Sequence, residues 1–334
     1  MNARATVAAM TAYTLELREA PIKLNQNESP FDFPFKDEAL ASIAERAWNV
    51  YPDFESTALR TALADAYALT PENILVGNGS NELLAAAVGA FVGPGTPVIF
   101  VRPTFALYEK LVTIAGGLPV PIDLDPMSGE LPLDAMLDAL ATLRDAVVIV
   151  CSPNNPTGGV LPAGGIDSLL ATGATVLFDR AYGDFALDEM PLLHDRLVTF
   201  STFSKAWGLA ALRVGWLAST AATCREVRKV KLPYSLNVIS EAIAAVALQH
   251  RAVRDANVLA IIEERERMLA VMRDLRRVIV FPSRANFIAF RSRATFEDFL
   301  ERGILVRKYS DFLRVSVGTR EQNDAFLAAL QELA

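Results

Sequence analysis

The sequence predicts an α/β protein: a large domain whose mostly parallel sheet is covered by helices, followed by a smaller α+β domain. Three observations predict it. The strand-like segments at residues 97–101, 146–151 and 175–178 are uninterrupted apolar runs, as strands buried on both faces must be. Most of them are followed by a turn and then a helical pattern, the alternation that builds a parallel sheet. Past residue 245 the pattern changes to a long charged helical stretch and then to short strands.

Taken in order, residues 1–35 have little periodicity and carry Pro21, Pro30 and Pro34, so they are expected to lie across other elements. Residues 37–48, with Ala39, Leu40, Ile43 and Ala47 on one face, and 56–68, with Leu59, Leu63 and Tyr67, read as amphipathic helices. Thr70-Pro71 stops the second. A short strand at 74–76 runs through Gly77-Asn78-Gly79-Ser80 into a helix opening with Asn81-Glu82. Strand 97–101 turns through Arg102-Pro103-Thr104-Phe105 into helix 107–115. Residues 118–122 contain two prolines and suit a sheet edge. Helix 133–143 precedes strand 146–151, which ends in the dense turn Ser152-Pro153-Asn154-Asn155-Pro156-Thr157-Gly158-Gly159. Helix 166–171, strand 175–178 closing on Asp179, and strand 197–200 delivering Lys205 complete the sheet. Residues 240–250 and 254–275 suggest one long amphipathic helix leading away from it. Strands at 278–281, 287–290, 304–306 and 313–317, with helices at 295–301 and 321–333, make the smaller unit. The expected division is an N-terminal segment 1–35 joining the small domain, a large domain 36–245 and a small domain 246–334.

Composition narrows the function. The 334 residues carry a net charge of −7, so a nucleic-acid footprint is not expected. Two cysteines and two histidines, all far apart, give neither a disulfide framework nor a metal cluster, and the reducing cytoplasm is the default compartment. The apolar stretch 83–101 is cut by Gly93-Pro94-Gly95-Thr96-Pro97 and is no membrane span. The first ten residues hold too short an apolar patch for a signal peptide.

The chemistry centres on residues 199–218. Lys205 stands among Ser204, Ala206, Trp207 and Gly208, and Arg213 follows eight positions later. An ammonium is costly to desolvate unless neutralised or paired, so a lysine in such surroundings usually works. Its amine suits covalent attachment of an aldehyde cofactor; the plainer alternative is a surface lysine at a helix start. The strand–turn–helix at 74–82 is a natural anion site, because the first helical N–H groups are unpaired and the dipole favours negative charge. It is neither a phosphate-binding Gly-Lys-Ser/Thr loop nor a dinucleotide fingerprint, whose third glycine is replaced by Glu82. Asn155, Asp179, Tyr182 and Lys205 all fall beyond the carboxyl ends of predicted strands, where ligands of open α/β sheets bind.

Together these motifs resemble fold-type-I pyridoxal-5′-phosphate aminotransferases, most nearly the histidinol-phosphate aminotransferase group. The resemblance runs along nearly the whole chain. It includes Lys23-Leu24-Asn25-Gln26-Asn27-Glu28, Tyr51-Pro52, Gly79-Ser80-Asn81-Glu82, Asn155-Pro156-Thr157-Gly158, Asp179 with Ala181-Tyr182, Ser204-Lys205 with Arg213, and Leu313-Arg314-Val315-Ser316-Val317-Gly318-Thr319-Arg320. It implies that Lys205 holds the cofactor aldehyde and later moves a proton, and that Asp179 pairs with the pyridine nitrogen. Tyr182 and Asn155 are implied at the phenolic oxygen, and Ser80, Asn81, Thr202, Ser204 and Arg213 at the phosphate. Phe105 takes the position of a ring-stacking aromatic. Tyr51 is implied to reach the phosphate of a neighbouring subunit, which makes a homodimer. Arg314 matches a substrate-carboxylate arginine, Arg307 is a candidate for the substrate's phosphate end, and no metal is implied. Simpler readings exist: Arg314 as a solvated strand residue, Arg307 as surface, Phe105 as core, Tyr51 as a packed turn residue.

The implied reaction is amino transfer from L-histidinol phosphate to 2-oxoglutarate, giving imidazole-acetol phosphate and glutamate in histidine biosynthesis. Alternatives are an aromatic amino-acid aminotransferase, a phosphothreonine-type decarboxylase, and a non-catalytic cofactor-binding DNA regulator. Two positions depart from the group. Arg180 stands where Glu is usual, and Ser29 where some relatives have a tyrosine that contacts substrate phosphate.

Overall fold

The computed structural model describes residues 3–12, 18–44, 46–190 and 192–334. Its strands are β1 (Ile22–Lys23), β2 (Ile74–Asn78), β3 (Pro97–Arg102), β4 (Leu118–Asp123), β5 (Val147–Cys151), β6 (Thr175–Asp179) and β7 (Leu197–Thr202). They continue with β8 (Val214–Ala218), β9 (Ile279–Val280), β10 (Phe287–Arg291), β11 (Ile304–Leu305), β12 (Arg307–Lys308) and β13 (Leu313–Ser316). Seven form one sheet in the order β2-β8-β7-β6-β5-β3-β4. Four form a second in the order β12-β13-β10-β9, and β1 pairs in parallel with β11.

Period-two alternation buries both faces of the large sheet. Val98 and Phe100 of β3, with Val147 and Ile149 of β5, pack beneath the helix Ser80–Phe91 through Leu83 and Val88. Ile99 and Val101, with Val148 and Val150, pack on the opposite face against Met136, Leu140 and Leu169. That is why these strands read as continuous apolar runs. As its prolines require, β4 is an edge strand bonded to β3 alone.

The structure departs from the expectation in several places. The apolar residues after Arg213, given no strand in the sequence reading, form β8, which lies antiparallel between β2 and β7; with one such strand the sheet is mostly parallel, as expected. The first amphipathic helix runs Lys36–Ala44; Glu45 is outside the described residues, and Arg46 to Trp48 are not helical. The long helix expected across 240–275 is two, Val238–Gln249 and Arg251–Arg273, broken at His250. There the chain turns with φ −106° and ψ 34°, and the imidazole stacks on Phe35 and meets Glu38 at 2.8 Å. Part of the segment expected to be irregular is ordered: Ala5–Ala8 forms one helical turn, and β1 adds to β11. Residues 1–2 and 13–17 of that segment lie outside the described residues.

Phe287, Phe290, Phe299 and Phe326 centre a separate core around the four-stranded sheet, and Leu24 from the N-terminal segment and Tyr182 from the loop after β6 enter it. Each such ring removed from water is worth about 1.5–3 kcal/mol. This core therefore fixes the N-terminal segment and the loop after β6 next to each other.

Candidate active site

A cavity of about 520 Å³ opens at the carboxyl ends of β2, β5, β6 and β7. Its wall brings together Ser80, Asn81, Phe105, Asn155, Asp179, Tyr182, Thr202, Ser204, Lys205, Arg213, Arg307 and Arg314. Of the residues that the resemblance assigns to cofactor or substrate, only Tyr51 is elsewhere. It is 79% exposed and stacks on Tyr234 at 4.7 Å.

One end of the cavity is built for an anion. β2 ends at Asn78, Gly79 follows with φ +81°, and the helix Ser80–Phe91 begins. Arg213 reaches the same turn from the residue before β8: its guanidinium donates to Ser204 Oγ at 3.1 Å and lies where a side chain on Gly79 would have to sit. The Ser204 amide donates to Thr202 Oγ1 at 3.1 Å, and the two hydroxyls stand 3.0 Å apart. Gly215 explains the close fit: a Cβ there would come within 2.1 Å of the Ser80 nitrogen. The unpaired amides, two hydroxyls and one guanidinium form a phosphate-type site.

Asp179, the last residue of β6, lies at the floor. Tyr108 donates its hydroxyl to Oδ2 at 2.8 Å, and the Ala181 amide donates to Oδ1 at 3.0 Å. Burial raises the carboxyl pKa, and these donors oppose the rise. A desolvated carboxylate held by two neutral donors favours a cationic partner in the pocket. Burial likewise pushes up the Tyr108 phenol and the Cys151 thiol beside it, so neither ionises in the working range.

Lys205 follows β7 by three residues and opens onto the cavity. Its Nζ donates to the carbonyls of Gln26 and Asn27, both at 3.0 Å. Burial, and after it the charge of Arg314, lowers the amine pKa to about 7. A surface lysine would not show this. Tyr182 lines the same wall, its phenol raised by burial, and accepts a hydrogen bond from Asn27 Nδ2 at 3.0 Å.

The opposite end is cationic. Arg314 is 4% exposed and donates to Asn155 Oδ1 and, at 2.9 Å, to the Asn25 carbonyl. Its guanidinium stacks over Phe287 and Tyr309. Arg314 is thus a pocket residue and not a solvated one. Arg307 is its direct cross-strand partner on β12, also on the cavity wall. Like charges directly opposite destabilise a strand pair, so the pair calls for an anion between them. Phe105 both packs against the core and lines the cavity. Ser29 is turned onto Phe31 and does not line it, whereas Tyr309 does. Arg180 points away from the cavity, donating to the Asp188 carbonyl at 2.8 Å.

Sequence reasoning missed Tyr108, Asn25, Asn27 and Tyr309. Tyr108 is legible only as an aromatic in the first turn of helix 107–115, three residues after Phe105, and the asparagines only as part of the 23–28 motif.

The sequence matches the family described as aminotransferase class I and II over residues 19–330. The chain belongs to this family. Among similar aminotransferases is the histidinol-phosphate aminotransferase of Thermococcus gammatolerans, 37% identical over 326 residues, covering 94% of this chain and 92% of that protein. The histidinol-phosphate aminotransferase of Aquifex aeolicus is 34% identical, covering 98% of this chain and 96% of the other. Among solved structures, the histidinol-phosphate aminotransferase of Sinorhizobium meliloti in complex with pyridoxal-5′-phosphate superposes with a TM-score of 0.88 at 25% identity. That match covers 99% of this chain and 96% of that one. Among the described residues no helix of this aminotransferase is long and apolar enough to cross a membrane.

Proposed function

We propose that this aminotransferase uses pyridoxal 5′-phosphate to move the amino group of L-histidinol phosphate to 2-oxoglutarate. The observation that carries it is one cavity holding a lowered-pKa lysine and a buried carboxylate between an anion cradle and an arginine pair. The substrate follows from relatives named for that reaction at 32–37% identity over nearly the whole chain. Pyridoxal phosphate, when bound, supplies an electron-withdrawing ring that delocalises charge from the substrate carbon bearing nitrogen. Its phosphate fits the amides of Ser80 and Asn81 with Thr202, Ser204 and Arg213, its pyridine nitrogen Asp179, and its phenolic oxygen Tyr182 and Asn155. Phe105 would wall the ring, and Lys205 would hold the aldehyde.

The protein's own contributions are positional. Lys205, near neutrality half in the free-amine form, is a base able to take a proton from the substrate carbon at neutral pH. Histidinol phosphate and glutamate both carry an anion near the reacting carbon, so Arg314 and Arg307 can serve both in turn. Tyr309, beside both arginines, is a candidate for the hydroxyl that Ser29 does not offer.

A homodimer is part of the proposal. Trp48, Val50, Tyr51, Phe54, Leu232 and Tyr234 are large, apolar and exposed. They border the anion cradle through Lys231, which reaches Glu82 of its helix at 4.0 Å. Asn81 and Arg213 are themselves exposed, so a second copy would finish that end. The cytoplasm is the proposed compartment.

The test is a titration of the cofactor-loaded protein, following its visible absorbance as L-histidinol phosphate, L-phenylalanine or L-glutamate is added. Complete conversion by micromolar histidinol phosphate with weak response to phenylalanine is expected. The reverse order would make it an aromatic aminotransferase, and release of carbon dioxide from phosphothreonine a decarboxylase.

A further inference from the structure

We propose that Asn27 is a positioning residue for Tyr182: its side-chain amide turns the phenol so that the hydroxyl proton points into the cavity. This rests on the pyridoxal phosphate reading. Asn27 is 1% exposed and adopts φ +54°, a left-handed conformation uncommon for residues other than glycine and held here by packing. Its amide orientation is fixed from both sides. The Asn27 backbone N–H donates to Ser316 Oγ at 2.8 Å, leaving the Ser316 proton for Asn27 Oδ1 at 3.3 Å. Oδ1 therefore faces Ser316, and Nδ2 is left to donate to the Tyr182 hydroxyl at 3.0 Å.

A phenol proton lies near the ring plane on one of two sides. With a donor occupying one side, the proton takes the other. Among the described residues the Tyr182 hydroxyl has no other partner, and the ring is pinned edge-on against Phe287 at 5.1 Å. Tyr182 is therefore prepared to donate to an anionic oxygen in the cavity without first breaking a bond. The Asn27 carbonyl accepts from Lys205 Nζ at 3.0 Å and from Asn286 Nδ2 at 3.1 Å, so the same residue sets the amine beside the phenol.

The experiment uses the full chain loaded with pyridoxal phosphate, comparing wild type, Asn27→Gly, Asn27→Asp, Tyr182→Phe and the Asn27→Gly/Tyr182→Phe pair. The readouts are the pH midpoint of the bound cofactor's visible absorbance, the cofactor Kd and the Tm. Glycine keeps the left-handed backbone and the carbonyl while deleting the amide. Aspartate keeps the shape but accepts a proton where asparagine donated one. A donor aimed at the cofactor's phenolic oxygen favours its deprotonated form, so losing it moves the midpoint upward by about one pH unit. We expect that shift in Asn27→Gly, a larger one in Asn27→Asp, and none added by Asn27→Gly once Tyr182 is Phe. A midpoint unmoved in both variants overturns the proposal, as does a shift that persists undiminished with Phe at 182. A lowered Tm with an unmoved midpoint would show a purely structural role. A wild-type protein that gains no visible band with pyridoxal phosphate overturns the cofactor reading, and this inference with it.

Discussion

The lowered pKa of Lys205 can be measured without any turnover. In the cofactor-free chain the amine is brought from 10.5 to about 7, first by burial and then by Arg314, with Glu28 opposing and Arg213 and Lys23 adding smaller repulsion. At pH 7 a solvated lysine is free amine to roughly 0.03%, whereas one titrating at 7 is half free, a gain of roughly 1,500-fold. The assay is the rate of Lys205 modification by an amine-reactive sulfonate between pH 6 and 10, located by peptide mass. The rate should level off above about pH 8, while surface lysines continue to accelerate to pH 10. Replacing Arg314 by Met removes a repulsive charge and should move the midpoint up; Glu28→Gln should move it down. Between about 7 and 10.5 the unfolded chain holds a proton that the folded chain has released. Lys205 therefore makes the cofactor-free protein more stable as pH rises through that window, and Lys205→Ala should flatten that slope as well as abolish turnover. A midpoint above about 9 would refute the claim that this lysine is a free base at neutral pH.

Arg314→Ala should raise the KM for both amino donors strongly while the cofactor still binds, since none of the hydrogen bonds of Arg314 goes to the phosphate cradle; an unchanged KM in steady-state assays would remove it from substrate binding. Gly215→Ala drives a methyl group to within 2.1 Å of the Ser80 nitrogen, so a Tm lower by the equivalent of about 1–3 kcal/mol and weaker cofactor binding are expected from melting and fluorescence titration. Tyr108→Phe deletes one of the two donors on Asp179 without opening a void, so the carboxyl pKa should rise and cofactor affinity fall about tenfold; equal affinity would show that the Ala181 amide alone suffices.

Much of the large sheet and most of the cavity wall were legible in the sequence, for a physical reason. Strands buried on both faces have no polar positions to confuse their pattern, and a ligand site beyond their ends collects residues at a fixed offset: Asp179 closes β6 and Lys205 follows β7. The direction of β8 was not legible, because an apolar run buried on both faces reads the same whichever way it runs; the chain reverses over residues 203–213, which end on Arg213 at φ +55°. The break at His250 was hidden because both flanking helices carry the same periodicity, and its cause, Phe35 and Glu38, lies more than two hundred residues away. Tyr108 was missed because an aromatic on an amphipathic helix face is ordinarily core. It is core here too, apart from one hydroxyl that finds Asp179.

The N-terminal motif shows why the two ends of the cavity cannot be treated separately. β1 is tied to β11, and the next residue is tied to β13, where the Ser316 amide donates to the Leu24 carbonyl at 2.8 Å. Three consecutive carbonyls then turn to cations: that of Asn25 to Arg314, and those of Gln26 and Asn27 to Lys205. A carbonyl hydrogen-bonded to a charged donor is held more firmly than one bonded to a neutral donor. Arg314 and Lys205 therefore hold adjacent carbonyls of one backbone segment. Arg314 sits in β13 two residues before Ser316, whose hydroxyl anchors Asn27, so β13 holds that backbone segment at two points. The segment is short, buried and bonded along its length, so a displacement at one end has little slack in which to dissipate. The backbone of residues 25–27 thus joins the Arg314 end of the cavity to Lys205, while the side chains of Leu24 and Asn27 fix that backbone to the small core and to Tyr182.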